Sequence, residues 1–99
     1  MDYIPKVGRV YITTLTLVNT WYAVLTPTQA KGIRGFKIKS RYVYGQQSGL
    51  PFDYAFSAVP GNDYWSNTGS GSGDEAGPVR GIWARAPVAG TVIELMTYD

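Results

Sequence analysis

From Ile33 to Tyr42 the side chains change character at every step. Phe36, Ile38, Ser40 and Tyr42 share one parity, and Lys37, Lys39 and Arg41 share the other. A period of two sends successive side chains to opposite faces of a strand, so this segment predicts a half-buried strand with a solvated basic face. The same period returns at Phe52, Tyr54, Phe56 and Ala58, which alternate with Asp53, Ala55 and Ser57 before Pro60-Gly61 ends the run.

The rest of the chain follows this lead. Val10 to Leu25 is rich in β-branched and aromatic residues, which favour a pleated strand. Val10 and Ile12 share one parity and Leu15 and Leu17 the other, so a bulge or bend is expected near Thr13-Thr14. Asn19-Thr20 reads as a turn, after which Trp21, Ala23 and Leu25 face one side of a second strand. Thr26 to Gly32 carries the one helical signal. Proline suits a first helical position and glycine stops a turn, so a single short helical turn is predicted there.

Gly45 to Pro51 reads as a loop. Asn62 to Gly81 is glycine-rich and reads as a long loop, with one short strand around Tyr64-Trp65. Ile82 to Ala86 and Thr91 to Tyr98 are then expected to form a hairpin, because Pro87-Val88-Ala89-Gly90 has the residues of a four-residue turn. In that register Ala86 opposes Thr91, Ala84 opposes Ile93 and Ile82 opposes Leu95, all on a core face. Trp83 then lies opposite Glu94, and Arg85 beside both Val92 and Glu94. With Met96, these five make an outer surface too apolar for solvent and too charged for a core. Trp83, Arg85, Val92, Glu94 and Met96 are therefore the candidate subunit interface.

Several short strands separated by turn signals, with no internal repeat, predict an all-β sandwich or small barrel. Ninety-nine residues suffice for one domain spanning 1–99, and an apolar content of 44% is enough for one core. No apolar run suggests an export signal or a membrane span, so no membrane partner is expected.

The absence of cysteine removes disulfides, thiolate metal sites and a cysteine nucleophile. It also leans toward folding in a reducing cytoplasm or toward stabilisation by self-association. The absence of histidine removes the commonest general base and metal ligand. Asp53, Asp63, Asp74, Glu75 and Glu94 offer carboxylates for glycosidase chemistry, but no spacing selects a pair. Gly69 to Gly73 resembles a phosphate loop only superficially. Asp74-Glu75 follows it where that motif needs lysine and a hydroxyl residue, so a surface loop is the better reading. The expectation is a protein without catalysis, cofactor or metal.

Two binding features stand out. Lys31, Arg34, Lys37, Lys39 and Arg41 form a basic stripe that no acidic residue interrupts. It suits docking on an acidic protein surface or an anionic glycan, but an ordinary solvated strand face that blunts a sheet edge is the better reading. Nucleic acid is not expected: net charge is only +2, and the nearby rings of Phe36 and Tyr42 lie on the opposite parity. Tyr64 and Trp65, in a glycine-rich setting, suit glycan stacking, or else they close one end of the sandwich.

Asn19 to Leu25 (NTWYAVL), Phe52 to Phe56 (FDYAF), Gly81 to Ala86 (GIWARA) and Gly90 to Leu95 (GTVIEL) together resemble small virion structural proteins of tailed bacteriophages. The resemblance covers nearly the whole chain. It implies a jelly-roll-like β-sandwich that decorates or cements a capsid, often as a homotrimer, against the major capsid protein or another virion protein. Localisation would then be the virion, assembled in the host cytoplasm. Related sandwiches in tails and fibres leave an adhesion module for host-surface carbohydrate as the alternative.

Overall fold

A computed structural model describes residues 8–41, 49–67, 73–76 and 79–98. The chain is all-β, with two four-stranded antiparallel sheets packed as a sandwich. The strands are β1 (Arg9–Leu15), β2 (Tyr22–Leu25), β3 (Gly35–Ser40), β4 (Phe52–Ala55), β5 (Trp65–Asn67), β6 (Gly73–Ala76), β7 (Ile82–Arg85) and β8 (Thr91–Tyr98). One sheet has the order β1-β8-β3-β6 and the other β2-β7-β4-β5. The pairing is nested: first strand with last, second with seventh, third with sixth, fourth with fifth. The chain thus resembles one long antiparallel ribbon doubled at β4–β5. The β8–β3 and β7–β4 pairings then fold that ribbon over on itself.

The expected helical turn forms as α1 (Pro27–Ala30). Thr26 caps it, with its Oγ1 accepting from the Gln29 amide at 3.2 Å while Gln29 Oε1 accepts from the Thr26 amide at 2.8 Å. This reciprocal pair satisfies two amides that a helix start would leave without partners. Gly32, at φ 81°, turns the chain away toward β3.

Alternation selects the core. Phe36, Ile38, Phe52, Tyr54, Ile82, Ala84, Ile93 and Leu95 are all buried between the sheets. Phe36 and Tyr54 meet edge-on across the two sheets, 6.3 Å apart and 87° inclined, and Phe52 lies tilted against Tyr54. Ser40 falls on the buried parity of β3, and its hydroxyl donates to the Leu50 carbonyl. Tyr42, on the same parity, lies outside the described residues.

Four expectations are corrected. First, β7 and β8 are not a hairpin, since they belong to different sheets. A hairpin would pair Ala86 with Thr91. Instead the Ala86 carbonyl accepts from the Asn19 amide at 2.8 Å, and the Gly90 amide donates to Leu15 at 2.8 Å. The β7–β8 crossing is therefore hydrogen-bonded to the β1–β2 crossing, and both carry the chain between sheets. Ala84 and Ile93 still face one core, but across the sandwich.

Second, β1 has no bulge; its register with β8 is unbroken from Arg9↔Thr97 to Leu15↔Thr91. Tyr11, Thr13 and Leu15 point inward, which leaves Val10 and Ile12 exposed. The irregularity lies in β2, between Ala23 and Leu25. It buries both Val24 and Leu25 and leaves Ala23 outside.

Third, the glycine-rich stretch is not all loop, because Gly73–Ala76 pairs with β3 as an edge strand. The remainder of Gly69–Gly73 lies outside the described residues. Fourth, β4 stops at Ala55, so Phe56 and Ala58 are exposed rather than extending its inner face.

Candidate functional site

The outer face of the β1-β8-β3 layer is a grid of three rows. Val10 pairs with Met96 and Met96 with Lys37; Ile12 pairs with Glu94 and Glu94 with Lys39. Thr14 pairs with Val92, whose carbonyl accepts from the Arg41 amide. The β1 column is largely apolar, the β3 column is basic, and β8 between them is mixed. Val10 is 64% exposed, Ile12 49% and Met96 37%.

Glu94 holds the middle of this grid. Its carboxylate meets Lys39 Nζ at 3.1 Å and the Arg41 guanidinium at 3.1 and 3.0 Å. Partial burial pushes the Glu94 carboxyl upward. The hydrogen bonds and charges of Lys39 and Arg41 outweigh that, so its pKa is lowered from the ordinary 4.5. The basic stripe is therefore partly neutralised by an acid from the neighbouring strand.

The outer face of the other sheet is organised differently. Arg85 Nε donates to Asp53 Oδ2 at 2.9 Å, and the Ser66 hydroxyl donates to Asp53 Oδ1 at 2.9 Å. The Arg85 guanidinium also lies 4.7 Å from the Trp21 ring centre and 4.5 Å from that of Tyr64. Those two rings meet at 5.8 Å, inclined by 60°. One cation thus has a carboxylate and two ring faces, each cation–π contact contributing about 0.5–2 kcal/mol. Trp83 is half-buried on this face, its indole so close over Gly81 that a Cβ there would stand 2.8 Å from the ring.

The five residues expected to form one interface are consequently separated. Trp83 and Arg85 lie on one outer face, and Val92, Glu94 and Met96 on the opposite one. The expected Arg85–Glu94 contact is replaced by Arg85–Asp53 and by Glu94 with Lys39 and Arg41. The reason is the change of sheet between β7 and β8. The basic stripe also divides: Lys37, Lys39 and Arg41 stand on the β3 outer face, while Lys31 and Arg34 line a cavity with Arg9.

Tyr64 and Trp65 take different roles, although both line one small cleft. Tyr64 closes over Arg85. Trp65 pairs with Tyr54 on the edge strand and is 67% exposed, lining a small cleft with Phe56, Asp63 and Tyr64.

Nothing in the sequence singles out Trp21 and Asp53 as partners of Arg85, or Ser66 as a partner of Asp53. Parity within β4 and β7 puts Asp53 and Arg85 on outer faces, but only strand order makes them neighbours. Among the described residues, no three His, Cys, Asp or Glu side chains cluster as a metal site. No helix of the described residues is long and apolar enough to cross a membrane. No family model, curated protein or solved structure matches the chain.

Proposed function

We propose that this chain is a bacteriophage virion structural protein, a capsid decoration or cement protein that acts as a homo-oligomer. The observation that carries this reading is the outer face of β1-β8-β3. Val10, Ile12 and Met96 form an exposed apolar strip directly beside the Lys37, Lys39 and Arg41 column. An apolar strip suits contact with another copy of the chain, because joining two such strips removes both from water. β1 is also an edge strand, seven residues long, without proline or bulge and with Arg9 its one charge, so few of the usual devices keep this edge from pairing.

The nested pairing supports a jelly-roll reading of the sandwich. An eight-stranded ribbon doubled at its centre and rolled into two sheets is how that architecture is built. In this reading the oligomer is a trimer on a capsid lattice, as the resemblance to phage virion proteins implies, with the basic column turned to an acidic lattice surface. Several weak contacts per oligomer would add to firm attachment. The test is co-sedimentation with undecorated phage heads. Uptake should saturate at a fixed ratio and weaken in Lys37→Glu/Arg41→Glu; absence of saturable uptake would reject the reading.

A second reading is favoured by one observation, the exposed Trp65 beside Phe56 and the Asp63 carboxylate. Aromatic faces with a nearby acceptor suit a sugar ring, so a tail or fibre module binding host carbohydrate is the alternative. Glycan-array hits that vanish in Trp65→Ala would favour it.

A further inference from the structure

The basic residues between Lys31 and Arg41 differ in what neutralises them. Lys39 and Arg41 meet Glu94. Lys31 and Arg34 do not: with Arg9 they line a cavity of about 680 Å³ whose described walls contain no carboxylate. The cavity lies where β1 begins, against the segment that leaves α1 and enters β3. The Arg34 amide donates to the Tyr98 carbonyl at 2.9 Å, and Arg9 pairs with Thr97, so both arginines are anchored to the end of β8. Thr28, Gln29, Tyr11 and Ile33 complete the lining.

Three like charges lining one cavity repel one another, an effect that salt weakens without changing its sign. A ligand with two or more negative charges relieves it. Arginine presents a fork of N–H donors matched to planar or tetrahedral oxyanions, and lysine adds a point charge. Gln29 uses its Oε1 in the helix cap, which leaves its amide nitrogen to donate; the Thr28 hydroxyl is a further donor. The volume falls within the roughly 300–1,000 Å³ range of small-molecule sites.

We propose that this cavity binds a small ligand carrying phosphate or sulfate groups. The proposal does not rest on capsid decoration, since the cavity lies within one protomer and needs no second copy.

Calorimetric titration of the full chain tests it, with inorganic pyrophosphate and a sulfated disaccharide as the two probes. Saturable binding of either at one site per chain is expected, and the stronger probe shows whether phosphate or sulfate groups are preferred. Lys31→Ala and Arg34→Ala, both at exposed positions, should each weaken it about tenfold or more. Lys37→Ala/Lys39→Ala, on the sheet face, should change it less than about twofold. Failure of both probes to saturate at millimolar concentration overturns the proposal. So does an equal loss in the Lys37/Lys39 variant, which would mean diffuse attraction to a basic chain.

Discussion

The two outer faces of this sandwich carry similar kinds of residue and finish them in opposite ways. On the β2-β7-β4-β5 side, Arg85 is held by Asp53, Trp21 and Tyr64, and Trp83 is laid over Gly81. On its outer face Arg85 and the rings beside it are used up against each other, while Trp65 at the β5 edge stays exposed. On the β1-β8-β3 side, Glu94 bridges Lys39 and Arg41 and partly neutralises them, yet Val10, Ile12 and Met96 stay open beside them. An exposed ring or charge says little until its neighbours are known. Aromatic and charged residues that satisfy one another stabilise the protomer, whereas those left over are available to a partner.

The largest effect expected from this contrast is at Arg85. Arg85→Ala leaves the part-buried Asp53 carboxylate without its cation and removes two ring contacts. A loss of about 2–4 kcal/mol in urea unfolding is predicted. A loss below about 1 kcal/mol would show that this face is no better finished than the other.

Gly81→Ala comes next. The new Cβ would press on the Trp83 ring and stand 3.1 Å from the Leu25 carbonyl, for a loss of about 1–3 kcal/mol. Indole fluorescence should shift as Trp83 is lifted.

On the opposite face Glu94→Gln should cost under about 1 kcal/mol at pH 7, because Lys39 and Arg41 are half-exposed. The sign with pH is fixed. Glu94 has a lowered pKa in the folded protein, so its stabilisation is full above the ordinary value of 4.5 and is lost as pH falls through the folded value. Wild type and Glu94→Gln should therefore converge in stability at about pH 2, measured by denaturant unfolding. A gap that persists there would assign the effect to packing. Smallest of all, Val10→Thr and Ile12→Thr should change protomer stability by less than about 0.5 kcal/mol.

The strand positions of this fold were largely readable, and their partners were not. Parity assigned Phe36, Ile38, Phe52, Tyr54, Ile82, Ala84, Ile93 and Leu95 to the inside, because a period of two survives in any sheet. The same parity cannot say which strands are neighbours. Pro87 to Gly90 has a composition that suits a hairpin and an inter-sheet crossing equally. Only the bonds to Asn19 and Leu15 decide for the crossing.

That single ambiguity moved Trp83 and Arg85 to the far side of the molecule from Glu94 and Met96. Val10 and Ile12 were hidden for a related reason. Their apolar character implied burial and hence a bulge, although Leu15 shares its parity with Tyr11 and Thr13 and marks the true inner face. Gly73–Ala76 offered no strand signal, since glycine and two acids are poor strand formers; β3 supplies the template that pairs them.

In the proposed oligomer the unfinished face, and not the finished one, meets another copy of the chain. Native mass spectrometry of wild type, Ile12→Glu and Trp83→Ser at equal concentration tests it most directly. Wild type and Trp83→Ser should show a multiple of the 10.8 kDa chain, three copies if the virion likeness holds, and Ile12→Glu should fall to 10.8 kDa. A monomeric wild type, or an oligomer that survives Ile12→Glu and dissociates with Trp83→Ser, would contradict the account.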